Sequence, residues 1–223
     1  MYNRIQRWFG NGWYGIAELL ITAFCVFLSL SIHEVAHGYA AYKLGDETAK
    51  NMGRLNLNPR YHLDPIGALC LFLFGFGWAN PVPVNPRNFD RVKMKTGMVI
   101  TSVAGPLSNL LVAFISMFLI KVLNIVGIAN SALLAVYMLL QSLMILNVGL
   151  AVFNLLPVPP LDGYKVLSAV LPPRYYFKIM EYERFGFIAL LLIIYLPIFN
   201  TLLNGAVFGI LNFFSFILNF LPF

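Results

Sequence analysis

The sequence predicts an all-α polytopic membrane protein, and three observations lead to this fold class. Hydrophobic residues make up 60% of the 223 residues, and charged residues make up only 11%. The mean hydropathy of +0.78 exceeds what a soluble domain of this size needs. Several apolar segments also reach the length of about 20 residues with which a helix crosses a bilayer. Because basic residues in such a chain mark its cytoplasmic loops, the net charge of +6 does not indicate a nucleic-acid partner.

The first predicted span covers residues 16–44, and residues 1–15 form an interfacial anchor ahead of it. The anchor carries four aromatic side chains of the kind enriched at membrane–water interfaces, those of Trp8, Phe9, Trp13 and Tyr14. A cleaved signal peptide is the alternative interpretation of an N-terminal apolar run. We expect no cleavage, because the run is too long and no small-residue cleavage site is evident.

Inside this span, His33-Glu34-Val35-Ala36-His37 has the HExxH pattern of zinc hydrolases. Residues four apart share one face of a helix, so both imidazoles can bind one metal ion. Glu34 lies beside that face and can take a proton from water. Two histidines could instead merely line a helix interior, but ionisable side chains in a membrane span are costly and functional by default. We therefore predict a zinc site with ligands His33 and His37 and with Glu34 as catalytic base.

Residues 46–64 form the most polar stretch of the chain. Apolar and polar residues alternate within it, which predicts short strands or turns near the membrane surface. The third histidine, His62, lies here and could be a ligand, although a loop histidine at an interface is commoner. Cys25 and Cys70 lie in apolar segments and lack a CxxC-type partner, so we expect them to fill the core.

Residues 66–78 are apolar but too short for a spanning helix, and three glycines interrupt them. This length is typical of a re-entrant or interfacial segment. Residues 80–86 follow, with three prolines that exclude a helix and predict an extended chain.

The extended chain has one edge that can form a full hydrogen-bonded ladder. Pro81 and Pro83 remove donors from one edge of a strand, whereas Val82 and Val84 keep theirs on the other. An unwound substrate could pair with that edge, or the edge could pair with the protein's own residues 55–58. We include Val82, Val84 and Asn85 as candidate substrate-binding residues.

Two further spans are predicted at residues 98–122 and 131–156. The first begins with small residues three and four apart, a pattern that lets another helix approach closely. Asn109 on this face can form a hydrogen bond across the contact, and we include it among the candidate substrate-binding residues.

The span at residues 131–156 is broken at Pro157, and Asp162 follows the break, where it could cap a new helix or bind a metal. Two apolar segments without ionisable residues, 185–197 and 202–220, predict packing helices.

The distribution of basic residues predicts the topology. If residues 66–78 do not cross the bilayer, twelve of the fifteen basic residues lie on one side, and Arg4, Arg7 and Lys121 lie on the other. A crossing segment would reduce this bias to ten against five. The positive-inside rule then places the N-terminus outside and the metal site toward the cytoplasmic side. Only this arrangement brings the ends of the first and third spans together.

With these motifs, residues 16–171 resemble the site-2 protease family of intramembrane zinc metalloproteases. Four blocks carry the resemblance, namely residues 33–37, the proline-rich residues 80–86, Gly105-Pro106-Leu107-Ser108-Asn109, and Asn154-Leu155-Leu156-Pro157 leading to Leu161-Asp162-Gly163. The resemblance implies that Asp162 is the third zinc ligand and that Asn154 is a polar catalytic residue near the reacting carbonyl. The chain has no room for a PDZ insert, so residues 16–171 resemble the catalytic core of the compact bacterial members, and the two apolar segments that follow predict two transmembrane helices in residues 172–223.

The resemblance further implies hydrolysis of peptide bonds within or near transmembrane segments of membrane proteins, in a bacterial cell membrane. A membrane zinc carrier or sensor could use the same ligands, but it would have no use for a base such as Glu34. A lipid hydrolase and an inactive homologue are further alternatives. The partners we expect are a membrane-protein substrate with an unwindable segment and the lipid bilayer itself, and the sequence does not indicate an oligomeric state.

Overall fold

The computed structural model describes residues 10, 12–62, 64–74, 78–172, 186, 190–194 and 196–220. Eight α-helices and one short 3-10 helix have defined bounds in this part of the chain. They are α1 Gly12–Lys43, α2 Thr48–Asn51, α3 Pro59–His62, α4 Pro65–Phe74, the 3-10 helix Pro86–Asn88, α5 Met94–Val126, α6 Ser131–Asn154, α7 Asp162–Val170 and α8 Pro197–Asn219.

Four of these helices are long and apolar enough to cross a membrane, namely α1, α5, α6 and α8. The shortest of them, α8, has 23 residues, which corresponds to about 35 Å of helix against a hydrocarbon core of about 30 Å. The predicted class of a helical polytopic membrane protein is therefore confirmed. Of the predicted helix at residues 185–197, residues 190–194 are helical, and residues 185, 187–189 and 195 lie outside the described part of the chain.

The helices α1, α5 and α6 pack together, and α7 lies against α5. The face of α5 that packs is made of small or short polar residues, with Thr101, Gly105, Asn109 and Ala113 buried at four-residue spacing. Small side chains let helix backbones approach closely inside a membrane. Helix α8 packs on α5 and α6 through a core of Ala113, Val148 and Phe214. This packing fixes α1, α5 and α6 around the HExxH segment.

The predicted short β element is wrong for the residues that the structure describes. Residues 46–62 form α2, α3 and turns, and Ala79 is only an isolated bridge residue. The reason is that side chains satisfy the backbone groups a ladder would need: Asn58 N donates to Asn56 Oδ1, and Arg60 N donates to Asn58 Oδ1. Such Asx turns compete directly with strand pairing. The side chain of Arg54 in turn donates to the carbonyl oxygens of Asn80 and Pro81, at 2.9 and 3.2 Å.

Helix α4 corresponds to the predicted re-entrant segment. Its ten residues span about 15 Å, half of the hydrocarbon thickness. Asp64 caps it by accepting hydrogen bonds from Ile66 N and Gly67 N at 2.9 and 2.8 Å. Residues 75–77 lie outside the described part of the chain, so the re-entrant path stays a prediction.

Candidate metal centre

His33 and His37 are buried on α1 and lie one helical turn apart. Their Nε2 atoms are 3.0 Å apart, and the two rings meet edge to face at a centroid distance of 4.6 Å. The helix therefore does what the spacing predicts, since it presents both nitrogens to one point.

The side chain of Asp162 completes a triangle with the two imidazoles. Its Oδ2 lies 3.1 Å from His33 Nε2 and 3.0 Å from His37 Nε2. Asp162 is the first residue of α7, and the partners seen for its carboxylate are His33, His37 and Lys165 rather than a backbone N–H of that helix. Gly163 allows the start of α7 to pack closely against the end of α6, because a Cβ at that position would overlap the carbonyl oxygen of Leu155. Of the two interpretations of Asp162, the geometry supports metal binding over capping.

These three donors fit a zinc ion in type and in spacing. Two imidazole nitrogens and one carboxylate oxygen form a common catalytic donor set, with bond lengths of about 2.0–2.2 Å. Tetrahedral ligands at such distances lie about 3.3 Å apart, close to the 3.0–3.1 Å seen here. His62 does not belong to this group, because it is not among the donors that lie within 4.8 Å of one another, and its Nε2 lies 2.6 Å from the carbonyl oxygen of Asn56.

Helix α5 orients both histidines from behind. The Nδ1 of His33 lies 3.1 Å from Asn109 Oδ1, and the Nδ1 of His37 lies 2.6 Å from the carbonyl oxygen of Thr101. Both acceptors call for a proton on Nδ1, which leaves the Nε2 lone pairs free for a metal. Asn109 is fully buried against His33, so its assignment to substrate binding finds no support in this geometry.

Glu34 lies next to the donor triangle and is buried. Its Oε2 accepts a hydrogen bond from Val82 N at 2.9 Å. The backbone donor predicted to serve a substrate strand at Val82 is thus directed at the predicted catalytic base. Val84, which was predicted to lie on the same strand edge as Val82, is half-buried and lines the cavity beside Glu34.

A cavity of about 430 Å³ opens beside these residues. Its wall contains His33, Glu34, His37, Asp162, Asn154 and Lys165, and apolar residues including Leu30, Trp78, Val82, Val84, Met98 and Phe153. Asn154 donates one amide hydrogen to the carbonyl oxygen of Leu150 at 3.0 Å. Since a side-chain amide has two hydrogens, the second is available to the cavity. The arrangement places a metal-donor set, a carboxylate base and an amide donor around one mostly apolar space.

Asp46 positions the loop that forms one wall of the cavity, a role that sequence reasoning missed. Its fully buried carboxylate accepts hydrogen bonds from Asn85 N and Asn88 Nδ2, at 2.7 and 2.8 Å, and from Thr48 N. Burial alone would raise the pKa of Asp46, but the hydrogen bonds from Thr48, Asn85 and Asn88 outweigh it and lower the pKa. Asn85, predicted to bind substrate, therefore acts here as an anchor of the loop.

Lys165 was also not singled out by its sequence context. It lies three residues after Asp162 on α7, and its Nζ donates to Asp162 Oδ1 at 2.9 Å. Helix α7 is not one of the membrane-crossing helices. Burial acts to raise the pKa of Asp162, and the charge of Lys165 acts to lower it.

Comparisons with known proteins point in the same direction as this geometry. The sequence profile of "Peptidase family M50" matches residues 119–196. A protein of Bacillus subtilis named "Putative zinc metalloprotease YwhC" is 39% identical over 209 residues, which cover 91% of this chain and 94% of that protein. Proteins named "Putative zinc metalloprotease Rip2" from Mycolicibacterium smegmatis and Mycobacterium tuberculosis are 27% and 30% identical. They match 83% and 89% of this chain and 71% and 74% of their own lengths. No solved structure matches significantly.

Proposed function

The chain belongs to peptidase family M50, and on that premise we propose that it is a zinc metalloprotease that cleaves membrane proteins within or near their transmembrane segments. The observation that carries the proposal is the position of Glu34. A carboxylate base lies directly beside the triangle of His33, His37 and Asp162, and all four side chains line one cavity. A transporter or sensor would need the three donors but not the base.

The residues divide the proposed reaction among them. His33, His37 and Asp162 would hold a zinc ion, which when bound would supply a Lewis acid that acidifies water and polarises a carbonyl group. Glu34 accepts the proton of the attacking water and passes it to the leaving amine. The second amide hydrogen of Asn154 stabilises the negative charge that develops on the carbonyl oxygen. The apolar wall of the cavity keeps bulk water away from this charge, which strengthens each of these interactions.

We expect hydrolysis to depend on the metal. Purified protein in detergent should cleave a single-span model substrate, a strong chelator should abolish the cleavage, and added Zn²⁺ should restore it. Mass spectrometry of the products locates the cut. Cleavage that resists complete removal of zinc would contradict the metalloprotease mechanism, and a cut far from the transmembrane segment would contradict the proposed substrate class.

The same measurement in vesicles tests the proposed orientation, in which the site opens toward the cytoplasmic side. This orientation follows from the twelve basic residues on one side of the predicted topology. A chelator that cannot cross membranes should stop cleavage in inverted vesicles and spare it in right-side-out vesicles. The reverse pattern would invert the topology.

We further propose that Val84 offers a backbone donor to an unwound substrate. A helical substrate hides its carbonyl groups in its own hydrogen bonds, so it must unwind before attack, and a strand edge can hold it by its main chain. Among the described residues, no hydrogen bond from Val84 N is seen, whereas the neighbouring donor on that edge, Val82 N, binds Glu34. Val84 also lines the cavity.

Replacing Val84 with proline should raise KM for the model substrate several-fold, because proline removes the donor. Val84→Ala, which keeps the N–H, is the matched control and should change KM little. Zinc content and thermal stability in detergent report whether either variant perturbs the fold. An equal effect of both variants would assign Val84 to side-chain packing instead.

A further inference from the structure

The two oxygens of Asp162 have different partners. Oδ2 faces His33 Nε2 and His37 Nε2, at 3.1 and 3.0 Å. Oδ1 accepts a hydrogen bond from Lys165 Nζ at 2.9 Å. The carboxylate is thus divided, with one oxygen in the donor triangle and the other held outside it.

This division has a chemical consequence for a metal site. A carboxylate can bind a cation through one oxygen or through both. A catalytic zinc site works with three protein donors and one position open for water or substrate. If Asp162 supplied both oxygens, the second would add a fifth donor that crowds the position of water or substrate.

We propose that Lys165 is a positioning residue that keeps Asp162 a one-oxygen ligand and thereby keeps a position open for water. The inference rests on the proposed function, since it concerns the same donor set. Lys165 occupies Oδ1 with a charge-assisted hydrogen bond, which is among the stronger and shorter kinds in proteins. It lies at the wall of the cavity.

The pair differs from an ordinary surface ion pair in its environment. The side chain of Lys165 is 51% exposed, but that of Asp162 is only 5% exposed. Exposed ion pairs three residues apart on a helix contribute little to stability. Exposure of Lys165 alone would therefore predict a weak pair. The pair matters because the carboxylate is buried: with Oδ1 held by Lys165, only Oδ2 is directed at the metal site.

The charge of Lys165 gives the test its direction. An ammonium group next to the site repels a divalent cation and competes for Oδ1, so its removal does not weaken zinc binding. A residue that merely supported the fold would show the opposite, because its loss would loosen the ligands and release the metal. Turnover and metal affinity therefore separate the two roles.

Lys165→Met removes the charge while keeping an unbranched side chain. We expect its zinc affinity to equal or exceed that of the unaltered protein, while kcat falls about 10- to 100-fold, as is typical for residues that orient metal ligands. Substitution of Co²⁺ for Zn²⁺ gives a readout that does not depend on activity. Four-coordinate Co²⁺ absorbs visible light more strongly than five-coordinate Co²⁺, so the absorption of Lys165→Met should be weaker. Lys165→Arg, which can still donate to Oδ1, should recover much of both signals.

Lys95→Met is the matched control. Lys95 is exposed, and its Nζ donates to the carbonyl oxygen of Leu171 at 3.3 Å, just past the other end of α7. It contacts no member of the donor set, so zinc affinity, Co²⁺ absorption and kcat should all stay at their original values.

Two outcomes would overturn the inference: weakened zinc binding in Lys165→Met, or an unchanged Co²⁺ spectrum together with unchanged kcat. The spectrum separates this failure from failure of the proposed function. If the unaltered protein cleaves no peptide bond but Lys165→Met still changes the Co²⁺ absorption, the positioning role of Lys165 stands and the proposed reaction falls.

Discussion

Replacing Glu34 with glutamine should lower the rate of peptide-bond cleavage by at least ~100-fold, the usual contribution of general acid–base catalysis, while zinc stays bound. Glutamine has nearly the same shape, and its side-chain oxygen can still accept the hydrogen bond from Val82 N that Glu34 accepts at 2.9 Å. It cannot take a proton from water. The donor triangle of His33, His37 and Asp162 does not include Glu34, so the metal has no reason to leave.

The measurement pairs the initial rate of cleavage with zinc per protein from elemental analysis. Glu47→Gln is the matched control, because Glu47 is an exposed partner of Lys50 at 3.1 Å and lies outside the cavity. Its rate and zinc content should match those of the unaltered protein. Retained turnover in Glu34→Gln would rule out Glu34 as the base, and loss of zinc would place Glu34 among the ligands.

The part of the site that local spacing determines could be predicted from the sequence. His33 and His37 are four residues apart on a helix, so their meeting follows from helical geometry alone. Asp162 is different, because its contact with His33 joins residues 129 positions apart. Nothing in the spacing of a sequence specifies such a contact. The predicted topology brought the ends of the two spans together and left Asp162 as a cap or a metal ligand, and the resemblance to a known family then indicated the ligand.

The orientation of the ligands was hidden from the sequence for another reason. His37 donates to the carbonyl oxygen of Thr101, a backbone group that every residue possesses. The residue type at position 101 therefore does not indicate this role. Asn109 was recognisable as a polar residue on a packed helix face, but the sequence pattern does not determine whether it faces a substrate or His33.

The loop beyond α1 shows why a strand was predicted wrongly. Alternating apolar and polar residues at positions 55–58 favour a strand, but asparagine side chains there bind nearby backbone groups and form turns instead. The extended loop of residues 80–85 is held by side chains rather than by a ladder. Asp46 binds Asn85 N and Glu34 binds Val82 N, so two carboxylates on or just after α1 place the loop beside the cavity.

Replacing Gly105 with alanine should abolish zinc binding, and with it cleavage, while leaving the helices intact. Gly105 lies on α5 where that helix passes closest to the donor triangle. A Cβ there would overlap His37 Nε2 and would lie 2.6 Å from His37 Cε1 and 2.7 Å from His33 Cε1. Carbon atoms in contact need about 3.5–4.0 Å, so both rings would have to move.

The rings of His33 and His37 cannot move this far without disrupting the donor triangle. Each Nδ1 is held from α5, by Asn109 Oδ1 at 3.1 Å and by the carbonyl oxygen of Thr101 at 2.6 Å, and each Nε2 must stay in the triangle to bind the metal. A shift of about 1 Å, which relief of the overlap requires, breaks the spacing that zinc ligands need. The effect does not come from a weakened helix, because alanine is favoured over glycine in a helix interior by about 1 kcal/mol.

Gly149→Ala is the control that isolates this effect. Gly149 lies within α6, and a Cβ added there meets no heavy atom within 4 Å, so zinc content should be unchanged and stability equal or higher. Asp162→Ala provides the reference for loss of a ligand, and Gly105→Ala should match its low zinc content. Circular dichroism in detergent should show the same helical content for all three variants. If Gly105→Ala keeps full zinc occupancy, the close approach of α5 does not limit the metal site, and the glycine serves helix packing alone.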